Sequence, residues 1–212
     1  MRIPTVVFAT CLVFASQAEA KSWETYIDVT TSASEQVSLF CTPDGSGRAF
    51  DDAQGLGGHA VDATITIEMY RNDLPVVGYP AEDIWLDSSL SGIALCRSAG
   101  MIADSSTGAD GITTISMPLH CGGSMDAVSG ETLRVVVGGV PEEGLAHQIL
   151  INSPDMNGDL VVDLSDVVLF ASKYADSYLG GYDYAVDFHY DGVINLSDLI
   201  LFSQNLNAAC DD

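Results

Sequence analysis

The chain has 212 residues, 47% of them hydrophobic, and a formal net charge of −23. That balance disfavours nucleic acid and anionic membrane as partners and favours cations. The length suits one β-domain plus one small further module, and after the N-terminal leader no run approaches the ~20 apolar residues that span a bilayer.

Met1-Arg2, the apolar run from Val6 to Ala15, and Ala18-Glu19-Ala20 have the basic start, short apolar core and A-x-A end of a secretory signal peptide. We place it at residues 1–20, with cleavage after Ala20 and a mature chain that is secreted or held at the cell surface. Cys11 does not serve as a lipid anchor, because Thr10 precedes it and the apolar core would be cut in half.

Residues 21–151 read as β-structure. Glu24–Thr31 and Gln36–Cys41 alternate polar and apolar side chains rich in β-branched and aromatic types, and Ala63–Tyr70 is the cleanest strand. Further strands follow at Asp83–Asp87, Gly111–Met117, Thr132–Val137 and His147–Ile151, with turn signals between them, a pattern that fits an antiparallel sandwich. Two phrases, Leu74-Pro-Val-Val-Gly-Tyr-Pro-Ala-Glu-Asp-Ile-Trp-Leu86 and Ser106-Thr-Gly-Ala-Asp-Gly-Ile-Thr-Thr-Ile-Ser116, resemble bacterial immunoglobulin-like (Big-type) domains. The resemblance implies an Ig-like spacer or adhesive module.

Four cysteines outlast the leader: Cys41, Cys96, Cys121 and Cys210. An even count in an exported chain predicts two disulfides with three possible connectivities. Cys96 and Cys121 flank an apparent strand pair, which favours Cys96–Cys121 and leaves Cys41–Cys210.

After the hinge Asn152-Ser-Pro154, one stretch occurs twice, thirty-two residues apart: Asp155 to Phe170 and Asp187 to Phe202. Calcium takes six to eight oxygens, and a twelve-residue loop supplies them from positions 1, 3, 5, 7, 9 and 12. In the first copy these are Asp155, Asn157, Asp159, the carbonyl of Val161, Asp163 and Asp166. In the second they are Asp187, His189, Asp191, the carbonyl of Val193, Asn195 and Asp198. Residues 151–212 hold eleven Asp, no Glu and one Lys, so in-phase carboxylates without a cation would repel. We expect two calcium ions, the second held more weakly because His189 stands where an oxygen belongs. Position 6, which wants glycine, is Gly192 in one copy and Leu160 in the other.

A duplicated loop closed by Asp and followed by a single apolar helix resembles the type I dockerin module. The resemblance implies a small all-α module over residues 152–212 that carries two calcium loop-helix repeats and docks to a cohesin-like partner. Positions 10 and 11 of each loop, where such a partner is met, read Leu164-Ser165 and Leu196-Ser197. Leu169 with Phe170, and Leu201 with Phe202, are expected to pair across the two helices. Tyr178, Tyr182 and Tyr184 in the connector are expected to pack rather than lie free.

No G-x-S-x-G elbow, H-E-x-x-H motif or phosphate loop occurs. The expectation is therefore a secreted, non-catalytic, calcium-dependent docking protein. Two alternatives stand beside it. One is a small polysaccharide-binding or glycoside-hydrolysing protein, for which Trp85 is the residue to watch. The other is a structural surface subunit that uses calcium as an internal staple.

Overall fold

The computed structural model describes residues 25–96, 101–142, 145 and 149–211. The signal peptide expected at 1–20 lies outside them. Thirteen strands occur among the described residues: β1 (Thr25–Thr31), β2 (Val37–Phe40), β3 (Ala53–Gly55), β4 (His59–Val61), β5 (Ile65–Arg71), β6 (Leu74–Pro75), β7 (Ile84–Ser88), β8 (Ile93–Leu95), β9 (Ile112–Ile115), β10 (Cys121–Met125), β11 (Leu133–Val137), β12 (Val140–Glu142) and β13 (Ile149–Asn152). Two α-helices follow, α1 (Leu164–Ser177) and α2 (Leu196–Gln204).

The strands form three sheets. In one, β5 lies between β1 and the pair β6 and β9; the second runs β4-β3-β2-β13-β10-β8; the third runs β12-β11-β7. β5 shows why a period of two is legible: Ile65, Ile67 and Met69 are buried while Thr66, Glu68 and Tyr70 are half-buried. Those three pack with Leu39, Phe50, Ile84, Leu86 and Ile115 into the main core.

β2 and β13 behave differently, being buried along their whole length. Val37, Leu39, Ile149 and Ile151 face the main core. Their neighbours face the other way, beneath the C-terminal segment: Phe40 joins Val162, Phe170, Val186, Phe188 and Phe202 in a second apolar cluster. Phe188 is the centre of that cluster, edge-on to Phe40 at 5.3 Å and stacked on Phe170 at 5.9 Å.

This packing overturns the expectation of an Ig-like antiparallel sandwich followed by a small all-α module of calcium loop-helix repeats. The described residues are mainly β, 34% strand against 18% helical, in several sheets, and β13 pairs with β2 in parallel. The two helices share their core with the β-body: Phe170 and Phe202 cluster with Phe188 and with Phe40 of β2. Phe170 and Phe202 do meet, with ring centroids 4.8 Å apart, and Leu201 packs beside them, but Leu169 is 38% exposed and outside that cluster. A segment with so little apolar surface gains its burial by covering a sheet.

The disulfides are Cys41–Cys121 and Cys96–Cys210, not the expected Cys96–Cys121 and Cys41–Cys210. Strand parity gives the reason. Cys121 stands opposite Leu95 in the β10–β8 ladder, so Cys96, one residue on, projects from the other face of the sheet. Cys121 therefore faces the main core, where Cys41 also lies, and Cys96 is left to the chain's end.

Candidate metal centre

The two duplicated stretches fold into the same local scaffold. In the first, Asp155 draws the chain around itself: Oδ1 accepts the N–H groups of Gly158 (2.9 Å) and Asp159 (3.2 Å), and Oδ2 accepts that of Leu160 (2.7 Å). Asp166 closes the loop, accepting from Met156 and Asn157 through Oδ1 and from Asp163 through Oδ2. In the second, Asp187 accepts from Asp191 and Gly192, and Asp198 accepts from His189 and Asn195.

Positions 9 and 12 also start the helices. Asp163 and Asn195 are N-caps that accept from Ser165 and Ser197, and Asp166 and Asp198 return a bond to the cap's own N–H. Each pair is a capping box, which satisfies two otherwise orphaned donors.

Both loops place left-handed residues at positions 4 and 6. These are Gly158 (φ +70°) and Leu160 (φ +68°) in the first, Tyr190 (φ +49°) and Gly192 (φ +82°) in the second. The glycine has changed places between copies while the backbone path is kept. Leu160 accepts a conformation that costs about 1–2 kcal/mol, and its N–H gains the Asp155 carboxylate in return.

The electrostatics are unusual. Asp155, Asp166, Asp187 and Asp198 are all fully buried. Burial pushes Asp155 up from the ordinary 3.8 to about 6, and the neighbouring charge of Asp166 adds to this against the pull of the three N–H groups. Asp198 is raised by burial as well, with Asp187's charge adding to it. Among the described residues no Lys or Arg pairs with any of the four; Lys173 is taken by Asp183, Arg48 by Asp52 and Arg134 by Asp87. The one basic group at hand is His189, whose Nδ1 lies 3.5 Å from Asp198 Oδ1 and is buried without a hydrogen-bond partner.

The sequence-predicted ligands are thus brought together unequally. Asp155, Asn157, Asp159 and Asp166 share one hydrogen-bonded turn, where Asn157 and Asp159 bond each other both ways. Asp187, His189, Asp191 and Asp198 share the second. Asp163 and Asn195 are occupied as caps, Val161 bridges to Ala209, and the carbonyl of Val193 accepts from Asn195. Among the described residues no three acidic or imidazole side chains converge on one point. The first loop offers the carboxylates and amide that a hard cation takes, whereas the second offers three carboxylates and an imidazole.

No family model, curated protein or solved structure matches the chain. Function must be argued from the residues.

Several contributors were not legible beforehand. Asp155 rests on β10: its backbone carbonyl accepts from Gly123, and a Cβ at Gly122 would fall 1.8 Å from its Oδ2. Two consecutive glycines inside a strand were the available signal, since such positions mark close backbone approach. Asp187 is held by Asn152, whose Nδ2 donates to its carbonyl at 2.8 Å, and by the Tyr182 hydroxyl, which donates to its Oδ2 at 2.8 Å.

The residues at positions 10 and 11 lie on the outer face. Leu164 is 75% and Leu196 61% exposed, with Ser165 and Ser197 exposed beside them. Val168 and Ile200, one turn further on, are also exposed, so each helix shows the same apolar pair. Trp85 is half-buried and lines a separate cleft of about 550 Å³ with Leu90, Ile93 and Met101. Nearby, the buried carboxylate of Glu131 accepts from Ser88, Gly92 and Ile93.

Proposed function

We propose that this is an exported calcium-binding protein in which metal at two loops fixes the C-terminal segment to the β-body, so that α1 and α2 present a doubled apolar face to a partner. Among the described residues no helix is long and apolar enough to cross a membrane, and two disulfides suit an oxidising, extracellular setting. The observation that carries the reading is the set of four fully buried carboxylates, two per loop, without a Lys or Arg partner among the described residues. Asp155, Asn157, Asp159 and Asp166 would hold one ion, and Asp187, His189, Asp191 and Asp198 the other. A bound divalent ion neutralises the buried charge, and the chain's own N–H groups keep the carboxylates oriented in its absence.

The partner suggested by the exposed Leu164/Val168 and Leu196/Ile200 pairs is a protein module of the cohesin kind. A second reading, a structural subunit with calcium as staple, draws on the contacts of Asp155 with Gly123 and of Asp187 with Asn152, which tie both loops to strands. Titration calorimetry should show two calcium ions per chain. Surface plasmon resonance against a cohesin-type module should show binding in calcium that chelator abolishes and that the double variant Leu164→Asp, Leu196→Asp removes. Absence of calcium heat sinks the metal reading; calcium binding without any module binding favours the staple.

A further inference from the structure

Beside the second loop lies a cleft of about 560 Å³, within the range of small-molecule sites. Leu56 and Val128 from the β-body form one wall, and Tyr182, Tyr184 and Tyr190 from the C-terminal segment the other, with Asp126 at its edge. Among its lining residues none is Lys, Arg or His. We propose that this tyrosine-walled cleft binds an organic cation with an apolar body, and that its occupancy is coupled to metal at the second loop through Tyr182.

The ligand class follows from what the walls have left to offer. All three phenol oxygens are engaged: Tyr182 donates to Asp187 Oδ2, Tyr184 shares a 2.7 Å bond with Ser38 Oγ, and Tyr190 donates to Gln36 Oε1. An ordinary phenol is protonated at neutral pH, so the rings are neutral and keep their electron-rich faces. A polyol or an anion would need donors that these tyrosines have already spent. A cation needs ring faces and negative charge. Asp183 also lines the cleft but is neutralised by Lys173. Asp126, whose Oδ1 accepts from the backbone of Val128 and Ser129 and which has no cationic partner among the described residues, supplies the negative charge.

The coupling rests on the metal reading above. Tyr190 and Gly192 belong to the second loop and also line the cleft, while the Tyr182 hydroxyl grips the loop's opening carboxylate. The Gly57 N–H donates to the Tyr190 carbonyl at 2.9 Å, which ties that wall to the body. An ion that fixes Asp187 therefore fixes the ring of Tyr182, and by linkage a ligand on that ring strengthens ion binding by the same factor.

The test is a titration of the full mature chain, followed by tyrosine ring resonances, with choline and with its neutral isostere in which a tert-butyl group replaces the trimethylammonium. In calcium, choline should bind about tenfold more tightly than the isostere, the scale expected of a partly desolvated cation–π contact. Chelator should weaken choline at least about threefold, within the usual range of coupling between sites. Tyr182→Phe loses the grip on Asp187, so the ratio of choline affinity in calcium to that in chelator should fall to within about twofold. Asp126→Asn should weaken choline and leave the isostere unchanged. Equal affinity for choline and isostere, or no binding of either in calcium, overturns the proposal. Choline binding in a chain that takes up no calcium by direct calorimetry would instead remove the metal reading and the coupling, and keep the cleft.

Discussion

Replacing Asp155 by Asn separates the two forces acting on the first loop. In the metal-free protein at neutral pH, a carboxyl whose midpoint moves from 3.8 to about 6 costs the folded state up to about 3 kcal/mol. Asn removes that cost. It also replaces the Oδ2 that accepts the Leu160 N–H with an amide NH2, and a buried donor left unsatisfied costs roughly 1–3 kcal/mol, so the changes nearly cancel. The variant should match the parent to within about 1 kcal/mol in chelator. With calcium at about a hundred times its dissociation constant, the parent gains about 2.7 kcal/mol at that site, and the variant loses that gain. For a chain of this size the difference is about 5–10 °C in melting temperature. Scanning calorimetry at pH 7, with calcium and with chelator, reads both arms. An equal drop in both conditions would show that Asp155 acts only as a backbone organiser, and would refute the argument from buried charge.

Other outcomes follow from the same geometry. Gly122→Ala places a Cβ 1.8 Å from Asp155 Oδ2, so calorimetry should count one calcium per chain instead of two, with a lower melting temperature in calcium. Phe188→Ala empties a fully buried site between Phe40 and Phe170 and should cost about 3–5 kcal/mol. Because those rings join the helices to the body, unfolding should remain a single transition in urea. The pH response of the chelated protein has a defined sign. Asp155 binds its proton more tightly folded, with a midpoint of about 6 against 3.8, so its contribution is favourable below about 4 and lost as pH rises to about 6. The urea midpoint in chelator should fall between pH 4.5 and 7, and calcium should restore it at the upper end. A midpoint that rises over that interval in chelator would contradict the assignment.

The parts legible in the sequence were those with a local rule. β5 announced itself by alternation, and the doubled loops by the spacing of their aspartates. A helix behind each loop followed from the apolar run there. What stayed hidden depended on partners distant in the chain. β3, β4, β8 and β12 are three residues each, too short to show a period, and β10 carries Gly122 and Gly123 where alternation would show. Phe188 carries no local signal, because its partners, Phe40 and Phe170, come from a strand and a helix far away. Phe40 lies in a strand found by alternation, and nothing nearby in the chain signals that a second layer covers it. The cysteine pairing turned on one residue of register between β8 and β10, which composition cannot supply.

The Cys96–Cys210 bridge gives the connector an uncommon freedom. Leu179 is 87% exposed, and Gly180 and Gly181 follow it on the surface, an inviting substrate for any protease outside the cell. Scission there would not shed the distal fragment, because Cys210 rivets it to Cys96. A nicked molecule would migrate as one band until reductant parts it into two.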